Sequence, residues 1–178
     1  MRFYTYQECE EWLSDRNRQK PDAIPGLFRE PVHIPQTPGA LLSFARRVAR
    51  EMQRFGDPQL LFWVTGWGIS DPAWHLYYKL RQSYCDHRLL DDAPGHVFLP
   101  YETEDLASFL FIAMLNYWEV YLLGYLGYVS AFLSNDEYID FYSDDGQNLG
   151  FVDGLRQDYP ETPSRAKEIS EGTTGQTR

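Results

Sequence analysis

Apolar residues recur along this chain with two different periods, and the period changes several times. Between Thr37-Pro38 and Gly56, the residues Leu41, Leu42, Phe44, Ala45, Val48, Met52 and Phe55 return every three or four positions. That spacing predicts an amphipathic helix with proline in its first turn and Arg46, Arg47, Arg50 and Arg54 on its outer face. A second helix is predicted after Asp71-Pro72, carried by Trp74, Leu76, Tyr77, Leu80 and Tyr84. A third is expected to be capped by Thr103, with Glu104 and Asp105 in its first turn where the helix dipole favours negative charge, and is apolar almost all round from Leu106 as far as Tyr117 and Trp118. Its uncharged run, residues 106–118, is shorter than the roughly 20 residues a membrane span needs, so a buried core helix is expected. At the N-terminus a short strand over residues 2–6 leads into the capping-box spacing of Thr5 and Glu8, which predicts a short helix through Glu11, Trp12 and Leu13.

The other period is that of strands. Residues 60–64 form a continuous apolar run between Asp57-Pro58 and Gly66, the pattern of a central strand buried on both faces. One short strand is expected at 96–99. Three more runs, at 120–123, 128–133 and 138–142, are separated by turn residues (124–127 and Ser134-Asn135-Asp136) and predict an antiparallel meander. Residues 17–39 carry Pro21, Pro25, Pro31, Pro35 and Pro38, and are expected as an extended loop kept ordered by Ile24, Leu27, Phe28, Val32 and Ile34. A last short helix is predicted around Leu149, Val152 and Leu155, weakened by Gly150 and Gly154. The fold class is therefore α+β: one domain over residues 1–159, with three to four helices on a mixed sheet whose C-terminal part is antiparallel. Residues 160–178 are polar and expected as a flexible tail.

Charge changes this picture from a generic domain to one with a direction. The 178 residues hold 26 acidic and 16 basic side chains, a formal charge of −10. That sign disfavours direct contact with nucleic acid or anionic membrane. The imbalance is local, because residues 100–159 carry eleven acidic side chains against Arg156 alone. Two cysteines without framework spacing, and no basic segment followed by an apolar stretch at the start, lead to the expectation of a reducing, cytoplasmic location.

Candidate chemistry is sparse. Cys85, His87 and His96 are zinc-ligand types but lack paired-cysteine spacing, and Cys85 with His75 or His96 is a conceivable nucleophile–base pair without a supporting motif. The adjacent acids Glu104-Asp105, Asp91-Asp92 and Asp144-Asp145 are accounted for by capping and turns. Gly66-Trp67-Gly68 lacks the third glycine and the lysine of a phosphate loop and is expected as a tight turn. No cofactor and no metal is expected.

The pattern at 136–145 is more specific. Strand alternation places Ile139 and Phe141 on one face and Tyr138, Asp140 and Tyr142 on the other, flanked by Asp136, Glu137, Asp144 and Asp145. Acids and rigid aromatics on one surface suit a basic protein partner. In size, localised acidity, aromatic richness and lack of catalytic signatures, the chain resembles the small acidic immunity proteins with which bacteria neutralise a cognate toxin. The resemblance is one of type and carries no family residue across. It implies a stoichiometric inhibitor of a basic toxin acting through Asp136, Glu137, Tyr138, Asp140, Tyr142, Asp144 and Asp145. Two other functions fit the residues: a small-ligand protein or hydrolase with a cleft lined by Trp63, Trp67, Trp74 and His75, and an acidic mimic of nucleic acid.

Overall fold

The structure, a computed structural model, describes residues 2–68 and 71–161, without the side chains of 71–74 and 76. Most of the expected polar tail, and the side chain of Trp74, lie outside the described residues. Seven strands and five α-helices follow one another as β1 (Arg2–Tyr4), α1 (Tyr6–Ser14), β2 (Phe28–His33), α2 (Pro38–Gln53), β3 (Leu60–Gly66), α3 (Asp71–Ser83), β4 (Gly95–Phe98), α4 (Thr103–Leu115), β5 (Glu119–Gly124), β6 (Ser130–Leu133), β7 (Tyr138–Ser143) and α5 (Phe151–Asp158). The strands form one sheet in the order β1-β4-β3-β5-β6-β7-β2.

Every pairing in this sheet is antiparallel. The α+β class and the C-terminal meander are as expected, but the sheet is antiparallel elsewhere too, where a mixed sheet was expected. The reason is that α3 does not cross over to a parallel neighbour: β4, which follows it, returns alongside β3 in the opposite direction. Five helices replace the expected three to four. β2 is a further addition, formed inside the proline-rich stretch. Pro31 removes a backbone donor, and the strand tolerates it because it is the sheet's edge.

Alternation along β3 sets the two layers. Leu60, Phe62 and Val64 point into the larger core under α2 and α4, whereas Leu61 and Trp63 point into a smaller core closed by Cys9, Trp12 and Leu13 of α1. The capping box of α1 forms as expected, with Glu8 N–H donating to the Thr5 hydroxyl and Thr5 N–H to the Glu8 carboxylate (2.7 Å). The basic face of α2 is partly spent within the chain, since Arg46 pairs with Glu104 at the start of α4 (2.9 Å). No helix among the described residues is long and apolar enough to cross a membrane.

A polar group sits inside the larger core. Tyr77, Arg81 and His96 are fully buried; Arg81 donates to Asp86 (2.6 Å), which Arg88 also engages (3.0 Å). Burial pushes the Asp86 carboxyl up, and hydrogen bonds from Arg88 and Arg81 outweigh it and bring it down to about 2.

Candidate functional site at one end of the sheet

Helix α4 ends sooner than its apolar run. Trp118 N–H donates to the Ala113 carbonyl and Tyr117 N–H to that of Met114 (3.0 and 3.4 Å), the paired bonds of a Schellman cap, with Tyr117 at φ 54° in the left-handed position that glycine usually fills. Tyr117 and Trp118, expected inside the helix, instead form its exit. The signal was Asn116, a polar break in an apolar run. The cap leaves Tyr117 half exposed (50%) and turns Trp118 fully inward.

The end of β3 meets this exit. The register of β3 with β5 shifts between Val64 and Gly66, so that Gly66 lies opposite Glu119. A β-carbon on Gly66 would stand 2.6 Å from Glu119 Oε2, and one on Gly68 would collide with the Asn116 carbonyl. The two glycines let the Glu119 carboxylate and the α4 exit close onto the strand. Trp67, between them, is held edge-on by Trp118 and Tyr77 with ring centroids 4.8 and 5.9 Å away. Gly66-Trp67-Gly68 is thus a place of close approach rather than a phosphate loop.

The β6–β7 turn completes the end. Asp136 N–H donates to the Ser134 hydroxyl, Ser134 N–H to the Tyr138 carbonyl and Ile34 N–H to the Glu137 carbonyl, which fixes Glu137 at φ 67°. His33 of β2 lies against the Tyr138 ring, centroids 4.1 Å apart, and its Nε2 is 3.0 Å from Glu161. Between these parts are two hollows. The larger, about 630 Å³, is walled by Trp67, Tyr117, Glu119 and Asn135. The smaller, about 60 Å³, shares Leu115 and Tyr117 with it and reaches Trp118 and Glu137. Neither is lined by a lysine or arginine among the described residues.

No protein-family model, curated protein or solved structure matches the chain.

The residues expected to share one acidic-aromatic face fall in three places. Asp136, Glu137 and Tyr138 are exposed at the end just described. Asp144 and Asp145 are exposed at the opposite end of β7, about 20 Å along a six-residue strand, where the Asp145 carboxylate accepts from Gln147 N–H to start a 3-10 turn. Asp140 and Tyr142 are not on a solvent face as expected: they are 3% and 8% exposed. β2 extends the sheet beyond β7 and brings Arg29 to 2.8 Å from Asp140, while the 3-10 turn at Pro21–Ala23 packs on neighbouring β6. Burial, with the Asp140 charge beside it, raises the Tyr142 hydroxyl. The acids therefore form no continuous row along β7.

The other candidates are dispersed. Trp63 lies in the smaller core on the opposite sheet face from Trp67, and exposed His75 lines a separate hollow of about 440 Å³ with Tyr78 and Leu89, so the expected Trp63/Trp67/His75 cleft does not assemble. Cys85 and His87 are exposed while His96 is buried against Tyr77, and no three metal-ligating side chains converge among the described residues. Asp105 accepts a hydrogen bond from the Tyr84 hydroxyl. Leu115, Tyr117, Glu119 and Asn135 were missed as site residues because the first two read as helix, Asn135 read as a turn residue and Glu119 lies just outside the strand expected from residue 120; only the bulge opposite Gly66 brings Glu119 to the others.

Proposed function

We propose that the chain is a stoichiometric inhibitor of a basic protein, of the kind bacterial immunity proteins exemplify, and that it engages its partner through the sheet end at Asp136, Glu137 and Tyr138. One observation carries this reading. Glu137 and Glu119 line adjoining hollows that share the exposed side chains of Leu115 and Tyr117, Asp136 and Tyr138 are exposed on either side of Glu137 in the chain, and among the described residues none of the three carboxylates has a cation at ion-pair distance. By contrast, Glu104, Asp140 and Asp153 of the same acidic stretch are paired with Arg46, Arg29 and Arg156. Unpaired carboxylates steer a basic partner, and half-exposed aromatics beside concave surface supply anchors.

The test is capture from lysate of the source organism, followed by binding and activity measurements on the purified partner. Asp136→Lys/Glu137→Lys is expected to weaken binding at least tenfold, and Asp144→Lys/Asp145→Lys, at the other end of β7, less than threefold. Equal effects of the two pairs would move the interface, and a partner fully active in a one-to-one complex would end the inhibitor reading.

A further inference from the structure

We infer that the 630 Å³ cavity between Trp67, Tyr117 and Glu119 receives an arginine side chain of the basic partner. This rests on the reading above and names the group recognised. The cavity lies within the size range of ligand pockets, and is large enough for one long side chain with its flanking backbone. Its walls are of two chemical kinds.

The first is an unneutralised carboxylate. Glu119 lies across Gly66, a position open only because that residue has no β-carbon, and no lysine or arginine reaches it among the described residues. The second is aromatic surface: the Trp67 indole, kept in place by edge contacts with Trp118 and Tyr77, and the Tyr117 ring, kept outward by the left-handed cap.

A carboxylate between aromatic faces selects a planar cation. A guanidinium stacks on indole and phenol rings through its face while its edge forks onto the carboxylate, whereas an ammonium is a point charge that loses more hydration on entry.

The experiment uses the full chain and N-acetyl-L-arginine methylamide, with the lysine and citrulline counterparts, followed by NMR of the indole N–H signals. The arginine compound is expected to shift the Trp67 signal saturably, at least fivefold more tightly than the lysine compound, with no saturable shift from citrulline. Glu119→Gln, which preserves side-chain size, is expected to abolish the arginine response; Tyr117→Gly, which leaves the carboxylate in place, to weaken it at least threefold. Equal binding of arginine and citrulline compounds, or an unchanged response in Glu119→Gln, would overturn the inference. The two proposals separate cleanly. If the arginine compound does not bind while Asp136→Lys/Glu137→Lys still weakens the partner, the cavity assignment fails and the interface stands; if it binds but the partner ignores both substitutions, the interface fails.

Discussion

The Tyr77 hydroxyl lies 2.7 Å from His96 Nε2, and both side chains are fully buried. The imidazole is ringed by Phe3, Phe62 and Phe109. Burial, reinforced by the nearby Arg81 charge, holds its pKa well below 6.5, against smaller opposing contributions from backbone hydrogen bonds and Asp86. The folded protein thus keeps His96 neutral where the unfolded chain takes up a proton.

Stability from His96 is therefore full above pH 6.5 and falls as the pH drops below it, by up to about 1.4 kcal/mol per pH unit. Denaturant unfolding of the wild type and of His96→Gln at pH 7.5 and pH 5 checks this. The wild type is expected to lose stability across that interval and the variant distinctly less; parallel losses would place the acid sensitivity elsewhere.

Asp86 acts in a lower window. Its carboxyl is depressed to about 2, so its contribution is present above the ordinary carboxylate pKa of 3.8 and is lost as the pH falls through 2. Asp86→Asn leaves the fully buried Arg81 guanidinium without its counter-charge and is expected to cost about 3 kcal/mol at neutral pH, read from the denaturant midpoint.

Asp140→Lys is expected to damage the fold rather than an interface. It would set a second cation beside Arg29 in a site where the native carboxylate is 3% exposed, at a cost of about 3 kcal/mol or more. Asp144→Lys, on an exposed residue, is expected to stay within about 0.5 kcal/mol of wild type. Thermal melts of the two variants give the comparison.

Tyr117 occupies a left-handed backbone position that costs a non-glycine residue about 1 kcal/mol or more. Tyr117→Gly relieves that cost and forfeits the ring's contacts, so stability is expected within about 1 kcal/mol of wild type while partner affinity falls at least tenfold. A variant that binds normally would show the ring to be no part of the interface.

The two cysteines should differ in reactivity. Burial pushes the Cys9 thiol up to about 12, and Gly95 packs directly on its sulfur, whereas Cys85 is exposed. One equivalent of maleimide is expected to react in the native state and two after denaturation, counted by mass spectrometry.

What the sequence determined by itself was local. The Thr5–Glu8 capping box, the amphipathic stripe from Leu41 to Met52, the doubly apolar run of β3 and the turns of the β5–β7 meander are all set by contacts within a few residues, and all form as expected. The pairing of β2 on β7 was a tertiary outcome, because a proline-rich stretch becomes a strand only when a neighbour offers it an edge. That pairing decided the fate of Asp140 and Tyr142: strand alternation correctly assigned them to one face of β7, but could not show that Arg29 and the chain around Pro21–Ala23 cover that face. The candidate site was divided in the same way. The acidic turn at Asp136 and Glu137 was legible as composition, while its junction with Trp67, Tyr117 and Glu119 depends on a bulge opposite Gly66 and a cap at Asn116, where residues far apart in the chain meet through backbone geometry that hydrophobic period does not encode.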